Sequence, residues 1–166
     1  FITGLFIIIE DSIAIGDIVH IGGSSGVVEE MSLRTLRLRN VHGQVHIIPF
    51  GEITSIINDS KDYSYAVIDA GVAYDSDLNK VMEVMTSVCD DMRKMDDFKK
   101  NIKSDFEIMG VQMLGDSAIT VRGRMKTTAG KHYGIIRYYN LYMKEAFDKA
   151  NIEIPFPVVT HITKSE

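Results

Sequence analysis

The sequence contains a single cysteine, Cys89, so no disulfide can form within the chain. A chain without disulfides is typical of a reducing compartment. Cys89 falls on an apolar stripe with helical spacing, where a small buried thiol is expected; a catalytic cysteine would need an exposed, electropositive setting. The sequence therefore gives no indication of disulfide or thiol chemistry.

Positive charge is also scarce, because 18 lysines and arginines stand against 23 aspartates and glutamates. The net charge is -5 at pH 7, with a pI of about 5.5. Nucleic-acid binding relies on basic patches, so this balance argues against a chain that mainly neutralises phosphates. The hydrophobic fraction of 45% and the charged fraction of 25% are ordinary for globular proteins and argue against disorder or a fully membrane-embedded fold.

The apolar stretch at residues 1–9 is too short to cross a bilayer as a helix, which takes about 20 residues. It also lacks the charged region and cleavage site of a signal peptide. Two interpretations fit: a buried strand, which its β-branched residues favour, or the end of a transmembrane helix that begins upstream. Because the first residue is Phe1 rather than methionine, we expect the sequence to be a fragment of a longer protein.

Residue sets that carry chemistry are missing. The five histidines lie in different predicted elements or turns, without cysteine partners or an HExxH spacing: His20, His42, His46, His132 and His161. Residues 75–79 begin like a calcium loop, but Lys80 stands where glycine is required and Thr86 where a bidentate glutamate is required. The loops at residues 22–26 and 127–131 lack the context of a phosphate-binding loop. We therefore predict no metal, no cofactor and no enzymatic activity.

What the sequence does contain is a β-hairpin at residues 31–50. Leu36 and Leu38 alternate with polar residues at the period of two expected of a strand with one buried face. A returning strand comes next, with three apolar residues, Val45, Ile47 and Ile48. Gly43 can take the positive φ of a tight reversal, and Pro49 cannot donate to a ladder, so it marks the end of pairing.

Three arginines on this hairpin raise the question of RNA binding: Arg34, Arg37 and Arg39. The first points to the opposite face from the other two, because side chains alternate along a strand. Three acidic residues are close enough in sequence to pair with them: Glu29, Glu30 and Glu52. We therefore expect ion pairs within or between subunits rather than a nucleic-acid surface.

Short strands surround the hairpin. Residues 18–21, 26–31 and 53–58 join its two strands to give five in all, connected by tight turns. This pattern fits a small bent sheet or partial barrel. A core of this size usually needs help from neighbouring chains or domains.

A polar break at residues 59–62 separates this region from a second pattern. The second pattern runs through five elements: a strand at 65–72, a helix, strands at 106–114 and 118–125, and a helix at about 133–150. This order matches the split βαβ or ferredoxin-like plan. Residues 158–163 alternate as a final strand with no obvious partner in the chain.

The two predicted helices each carry an apolar face. Asp75 or Ser76 is expected to cap the first helix. Its stripe consists of Leu78, Val81, Met82, Met85, Val88, Cys89 and Met92. The buried face of the second consists of Ile135, Tyr139, Met143, Ala146, Phe147 and Ala150. Both stripes predict packing on a sheet.

Several runs, taken in order, resemble the small-conductance mechanosensitive ion channel (MscS-like) family. They are Gly-Asp-Ile-Val at 16–19, Gly-Val-Val-Glu-Glu at 26–30, Leu-Arg-Thr-Leu-Arg at 33–37, Gly-Gln-Val-His-Ile-Ile-Pro at 43–49, Gly-Val-Ala-Tyr-Asp-Ser-Asp at 71–77 and Ile-Pro-Phe-Pro at 154–157. The positions that match the family pattern are Gly16, Asp17, Gly26, Arg34, Thr35, Gly43, Ile48, Pro49, Tyr74, Asp75, Pro155 and Pro157. The family often has asparagine directly after the proline that Pro49 matches, whereas this chain has Phe50. In this respect the chain resembles a sub-branch of the family.

The resemblance implies an α+β architecture in four parts. Residues 1–10 would end the pore-lining transmembrane helix, with Phe1, Gly4, Leu5 and Ile8 as its remnant. Residues 11–60 would form the middle β domain, a small five-stranded bent Sm-like sheet. Residues 61–157 would form a ferredoxin-like α/β domain, and residues 158–166 the C-terminal strand of an intersubunit barrel.

The resemblance also implies a function: the cytoplasmic vestibule of a tension-gated ion channel that releases ions and small solutes on hypo-osmotic shock. The channel would be a homoheptamer in the inner membrane of a bacterium, with this portion in the cytoplasm. Its partners would be copies of itself, the membrane through upstream helices and permeating ions, with no nucleic acid. The residues leave one alternative open, a soluble RNA-binding or ligand-sensing module that joins a small barrel to a ferredoxin-like domain.

If residues 1–10 end a membrane helix, a chain beginning at Asp11 should be more soluble than the chain that begins at Phe1. The reason is that apolar side chains normally covered by lipid or pore helices would otherwise face water. Recovery by size-exclusion chromatography, with and without mild detergent, measures the difference. A shorter chain that is less soluble would contradict the membrane-helix interpretation.

Overall fold

The computed structural model describes residues 12–157, which form a mixed α+β fold with two antiparallel sheets. The residues divide into two compact units. Unit 1 contains residues 12–64 and 128–130, and unit 2 contains residues 65–127 and 131–157. Among the described residues, no helix is long and apolar enough to cross a membrane. The sequence predictions for residues 1–11 and 158–166 lie outside the described residues.

Unit 1 is built on a five-stranded sheet. Its strands are β1 (Ile18–Ile21), β2 (Ser24–Met31), β3 (Thr35–Arg39), β4 (Val45–Pro49) and β5 (Ile57–Asn58). Their order across the sheet is β4-β3-β2-β1-β5, and each neighbouring pair is antiparallel. The edges of the sheet are therefore β4 and the two-residue strand β5.

The predicted hairpin is present, with Leu36 and Leu38 fully buried. Leu36 lies opposite Ile48, and Leu38 lies opposite His46. Side chains on opposite residues of a pair share a face, so β4 turns Ile48 inward and leaves Val45 and Ile47 exposed. The core around the leucines consists of Ile13, Val19, Ile21, Val28, Phe50 and Ile53.

The fifth strand is shorter than the predicted span of residues 53–58. A 3-10 turn at Phe50–Glu52 comes first, and pairing is limited to Ile57–Asn58. Phe50 and Ile53 are both buried, and the Ile53 N–H donates to the Phe50 carbonyl at 3.3 Å. Because both side chains enter the core, the backbone forms a turn here, and pairing with the sheet begins only at Ile57, four residues after Ile53.

Unit 2 has two larger helices and a three-stranded sheet. In chain order, its elements are β6 (Tyr63–Val72), α1 (Leu78–Lys94), α2 (Asp96–Lys99), β7 (Glu107–Leu114), β8 (Ile119–Thr128) and α3 (His132–Ala150). The strand order is β6-β8-β7. The predicted elements are all present, with ends that differ by at most three residues.

The apolar faces of the helices pack as predicted. On α1 the buried residues are Val81, Met85, Val88, Cys89 and Met92, while Leu78 and Met82 are half-buried. On α3 they are Ile135, Tyr139, Met143 and Phe147, while Ala146 and Ala150 are half-buried. The buried Tyr139 hydroxyl donates to the Met85 carbonyl at 2.6 Å, which fixes α3 against α1. Burial also raises the pKa of the Cys89 thiol to about 11, so it is unreactive at neutral pH.

The predicted cap of the first helix is wrong. Asp77, rather than Asp75 or Ser76, stands at the N-cap of α1, and its carboxylate accepts the N–H groups of Asn79 and Lys80. The Ser76 N–H instead donates to the Ala73 carbonyl in a turn. Residues 73–76 form this turn, so the helix begins after Asp77 and not after Asp75 or Ser76.

The close approach of β2 to β3 gives a stability prediction. A Cβ added at Gly26 would lie 2.5 Å from the Arg39 carbonyl oxygen, which is backbone and cannot move aside. We expect Gly26→Ala to destabilise unit 1 by about 1–3 kcal/mol through overpacking. Gly51→Ala is the matched control, because nothing lies within 4 Å of its added Cβ. Urea unfolding followed by circular dichroism measures both; equal midpoints would contradict the prediction.

Candidate functional site

The sequence-predicted positions fall at junctions of the fold. Most lie in unit 1: Gly16, Asp17, Gly26, Arg34, Thr35, Gly43, Ile48 and Pro49. The others lie in unit 2: Tyr74, Asp75, Pro155 and Pro157. The proposed pore-helix residues Phe1, Gly4, Leu5 and Ile8 lie outside the described residues.

Asp17 connects groups that lie far apart in the sequence. Its Oδ2 accepts the Ala14 N–H at 2.9 Å and the Asn58 side-chain amide at 2.7 Å. Its Oδ1 lies 3.3 Å from the Ser60 hydroxyl, a donor that is itself buried. Gly16 precedes it with a φ of 97°, a conformation that glycine adopts without strain, and its N–H donates to the Val28 carbonyl. One carboxylate thus gathers groups from distant parts of unit 1.

The hairpin positions hold the ends of β3 and β4 together. The Phe50 N–H donates to the Arg34 carbonyl at 2.9 Å, just after the Thr35 and Pro49 pair. Gly43 has a φ of 81° in the connecting turn, and its N–H donates to the Asn40 carbonyl. These positions therefore define the length and register of the hairpin.

The outward face of β2 and β3 carries an ion-pair cluster. Arg39 forms a bidentate pair with Glu29, and the Arg37 Nε lies 3.3 Å from the same carboxylate. Arg37 also lies 3.7 Å from Glu30. The hydrogen bond from Arg39 holds the pKa of Glu29 below its ordinary value. The predicted pairing is confirmed for Arg37 and Arg39, and this pairing leaves less positive charge for a phosphate backbone.

A second charged cluster lies on the sheet face of unit 2 opposite the helices. The Arg122 guanidinium forms two hydrogen bonds to Asp69, at 2.6 and 2.7 Å. Arg124 bonds Glu107 at 2.6 Å, and its guanidinium lies 4.4 Å from the Tyr65 ring centre. The hydrogen bonds hold the pKa of Asp69 and of Glu107 below their ordinary values.

The sequence predictions missed this second cluster. The sequence pattern that could have indicated this cluster is the alternation in β8. Three cationic residues alternate there with buried residues: Arg122, Arg124 and Lys126. That alternation predicts an uncovered sheet face. The partners could not be found in the same way, because they depend on β6 and β7 lying on either side of β8.

The remaining positions lie near the ends of helices in unit 2. The Tyr74 hydroxyl donates to the Gly115 carbonyl at 2.6 Å, which ties the loop before α1 to the turn between β7 and β8. The Ala73 N–H donates to the Glu153 carbonyl at 3.1 Å, shortly before Pro155. An open cavity of about 210 Å³ next to these contacts is lined by Asp75, Ser76, Asp77, Lys80, Asn151, Ile152 and Glu153. Across residues 12–157, no group of three His, Cys, Asp or Glu side chains is placed to hold a metal ion.

Comparison with known families places this two-unit fold among channel proteins. Residues 1–61 match the family model described as mechanosensitive ion channel, beta-domain. Residues 66–154 match the model described as mechanosensitive ion channel MscS, C-terminal. The chain belongs to the MscS family of mechanosensitive ion channels.

Individual relatives agree. The chain is 34% identical over 161 residues to a small-conductance mechanosensitive channel of Caldanaerobacter subterraneus, covering 97% of this chain and 56% of that one. It is 28% identical to the moderate conductance mechanosensitive channel YbiO of Escherichia coli, covering 93% of this chain and 21% of that one. The closed-state MscS structure of Helicobacter pylori has the same fold, with a TM-score of 0.78, 24% identity, and coverage of 99% and 64%. The chain thus spans about half the length, or less, of these two sequence relatives.

The Asp69 pair gives a pH prediction. Its lowered pKa means that the stability it contributes is present above the ordinary value of 3.8 and is lost as the pH falls through the folded-state pKa. We expect Asp69→Asn to lower the urea midpoint near neutral pH and to converge with the unmodified chain as the pH falls from about 5 to about 2. Asp148→Asn, in an exposed pair with Lys144, is the control and should change little. A constant difference at all pH values would contradict the prediction.

Proposed function

We propose that the chain is the cytoplasmic vestibule of a membrane-tension-gated channel that releases ions and small solutes on hypo-osmotic shock. The observation that carries this proposal is the match of two channel-family models, in sequence, to residues 1–61 and 66–154 of one chain. Relatives over nearly the whole chain are named mechanosensitive channels. Because the chain spans only part of those relatives, tension sensing would belong to the rest of the complete protein.

The finer architecture is part of the proposal. The antiparallel five-stranded sheet supports an Sm-like β domain over residues 11–60. The strand order β6-β8-β7 supports a ferredoxin-like domain over residues 61–157, since α1 and α3 cover one face of that sheet. The division of the chain into units near residue 64 agrees with a boundary in the polar break.

Self-assembly into a ring is suggested by the edges of the first sheet. A strand edge left open exposes unpaired backbone groups, and a cyclic oligomer removes every edge by pairing one side of each copy with the other side of the next. Edge strand β4 exposes Val45 and Ile47, and edge strand β5 is only two residues long. We therefore propose a homo-oligomer, a heptamer as in the family resemblance, with residues 158–166 forming a barrel on its axis.

In this arrangement residues 1–10 would be the end of the pore-lining helix, with Phe1, Gly4, Leu5 and Ile8 as its remnant. The complete channel would lie in the inner membrane of a bacterium, and the present portion would filter permeating ions and steady the assembly in the cytoplasm. The soluble RNA-binding or ligand-sensing alternative gains no support, because the hairpin arginines Arg37 and Arg39 pair with acidic side chains.

The direct test is electrical recording from the complete protein, including whatever its gene encodes upstream of Phe1. Expressed in cells that lack their own mechanosensitive channels, it should give currents that open with membrane tension and should raise survival of hypo-osmotic shock. A complete protein that inserts in the membrane but gives no tension-dependent current would overturn the proposal.

The barrel proposal predicts the effect of a truncation. Removing residues 155–166 should weaken the oligomer without unfolding either unit, because the removed residues would pair with other copies. Native mass spectrometry measures assembly, and circular dichroism measures folding. Removing only residues 164–166 is the control, since it spares the predicted strand at 158–163. An unfolded truncation would show instead that the last residues belong to the core of their own chain.

A further inference from the structure

We propose that the Asp17 carboxylate is a latch that joins the two ends of unit 1, so that they move together. The incoming segment is defined as residues 12–17, and the outgoing segment as residues 57–60. No sequence motif predicts this link, because Asp17 is 41 residues from Asn58 and 43 from Ser60. The use of such a latch in a channel depends on the function proposed above, but the latch itself is a property of unit 1.

The two oxygens of the carboxylate serve both segments. Oδ2 accepts one hydrogen bond from the incoming segment, the Ala14 N–H at 2.9 Å, and one from the outgoing segment, the Asn58 amide at 2.7 Å. Oδ1 lies 3.3 Å from the Ser60 hydroxyl, whose single proton also has the Asn58 side-chain oxygen as an acceptor at 3.2 Å. A carboxylate can accept several such bonds at once, and bonds to a charged acceptor are stronger than neutral ones.

Side chains of the outgoing segment complete the link. The Asn58 amide donates a second hydrogen bond to the Ser12 carbonyl at 3.2 Å. The Ser60 hydroxyl accepts the Ile18 N–H at 2.8 Å, directly after Asp17. Ser60 is 7% exposed, so its hydroxyl has little water to replace a lost partner, whereas Asp17 and Asn58 are half-buried.

The backbone ladder alone gives these ends little support. Strand β5 pairs with β1 through only two residue pairs, Val19 with Asn58 and His20 with Ile57. The incoming segment is held otherwise by Ile13, which is 2% exposed in the core, and by two backbone hydrogen bonds with Val28, one from the Gly16 N–H and one to the Asp17 carbonyl. The side-chain bonds of Asp17 therefore supply much of the connection between the segments.

The outgoing segment is also tied to residues further along the chain. The Ser64 hydroxyl donates to the Asp59 carbonyl at 2.6 Å and accepts the Gly130 N–H at 3.0 Å. A displacement of residues 12–17 would thus reach residues 58–64 through a few hydrogen bonds, without passing through the hairpin. In a channel, a pull on the chain before Ser12 would be carried directly to the beginning of β6.

Hydrogen exchange in the 166-residue chain tests the latch, with mass-spectrometric fragmentation resolving single amides. Asn58→Ala removes the amide's bonds to Asp17 and to the Ser12 carbonyl but leaves the Asp17 carboxylate in place to accept the Ala14 N–H. If the segments are latched, Asn58→Ala should nevertheless speed exchange at Ala14 by about tenfold. Asp17→Ala should speed exchange at Ala14 and also at Asp59, whose N–H donates to the Ile18 carbonyl.

A double-mutant cycle separates a latch from two local effects. The Asp17→Ala, Asn58→Ala double variant should exchange no faster than Asp17→Ala alone at Asp59, whose own acceptor both changes leave in place, because both changes break the same link. Asp17→Asn keeps an acceptor for Ala14 and should fall between the unmodified chain and Asp17→Ala. Asp148→Ala, on an exposed surface of α3, is the matched control and should leave all of these amides unchanged.

Protection of β3 and β4 amides reports whether unit 1 remains folded. If Asp17→Ala lowers that protection as well, the same cycle is made with Ser60→Ala, which removes one hydroxyl. The proposal is overturned if Asn58→Ala, or Ser60→Ala in that case, leaves exchange at Ala14 unchanged, or if the effects of the single variants multiply in the double variant. None of these results depends on channel activity, so a failed latch would leave the proposed function standing.

Discussion

Each unit is stabilised by the burial of one face of a small sheet. The number of apolar side chains on that face limits how much stability this burial can supply. In unit 1 the burial centres on Leu36 and Leu38, whose neighbours on β2 and β4 are fixed by register. Within residues 12–64, the buried apolar core of this unit has eight side chains, which is small, so hydrogen bonds of the backbone and side chains are needed to stabilise it further. The hydrogen bonds of Asp17, and the Phe50 N–H bond to the Arg34 carbonyl at the end of the hairpin, supply part of this additional stability.

The uncovered faces of the two sheets carry paired charges. The outward side of β2 and β3 pairs Arg37 and Arg39 with glutamates, and the outward side of β8 pairs Arg122 with Asp69. Single exposed pairs usually add little stability, but the bidentate geometry of Arg122 with Asp69 is the kind that contributes more. The arrangement of these pairs across neighbouring strands leaves little net local charge on either face.

The sequence was informative where one element determines its own pattern. The alternation in β3 and the stripe of α1 were predicted correctly because burial on one face imposes a period. The N-cap of α1 was not predicted correctly. Asp75, Ser76 and Asp77 can all cap a helix, and the hydrogen-bonded turn that begins at Ala73 leaves Asp77 at the N-cap. Contacts between distant residues, such as Asp17 with Ser60, depend on strand order, which periodicity does not contain.

Several positions that the sequence resemblance singled out also have a common physical role. Gly26 allows β2 to approach the β3 backbone, and Pro49 stands at the end of the β3–β4 pairing. Asp17 joins the beginning and end of unit 1, and Tyr74 ties a loop to a turn. None of these residues belongs to a catalytic or metal-binding group among the described residues. Their contacts instead define the local backbone shape of each unit.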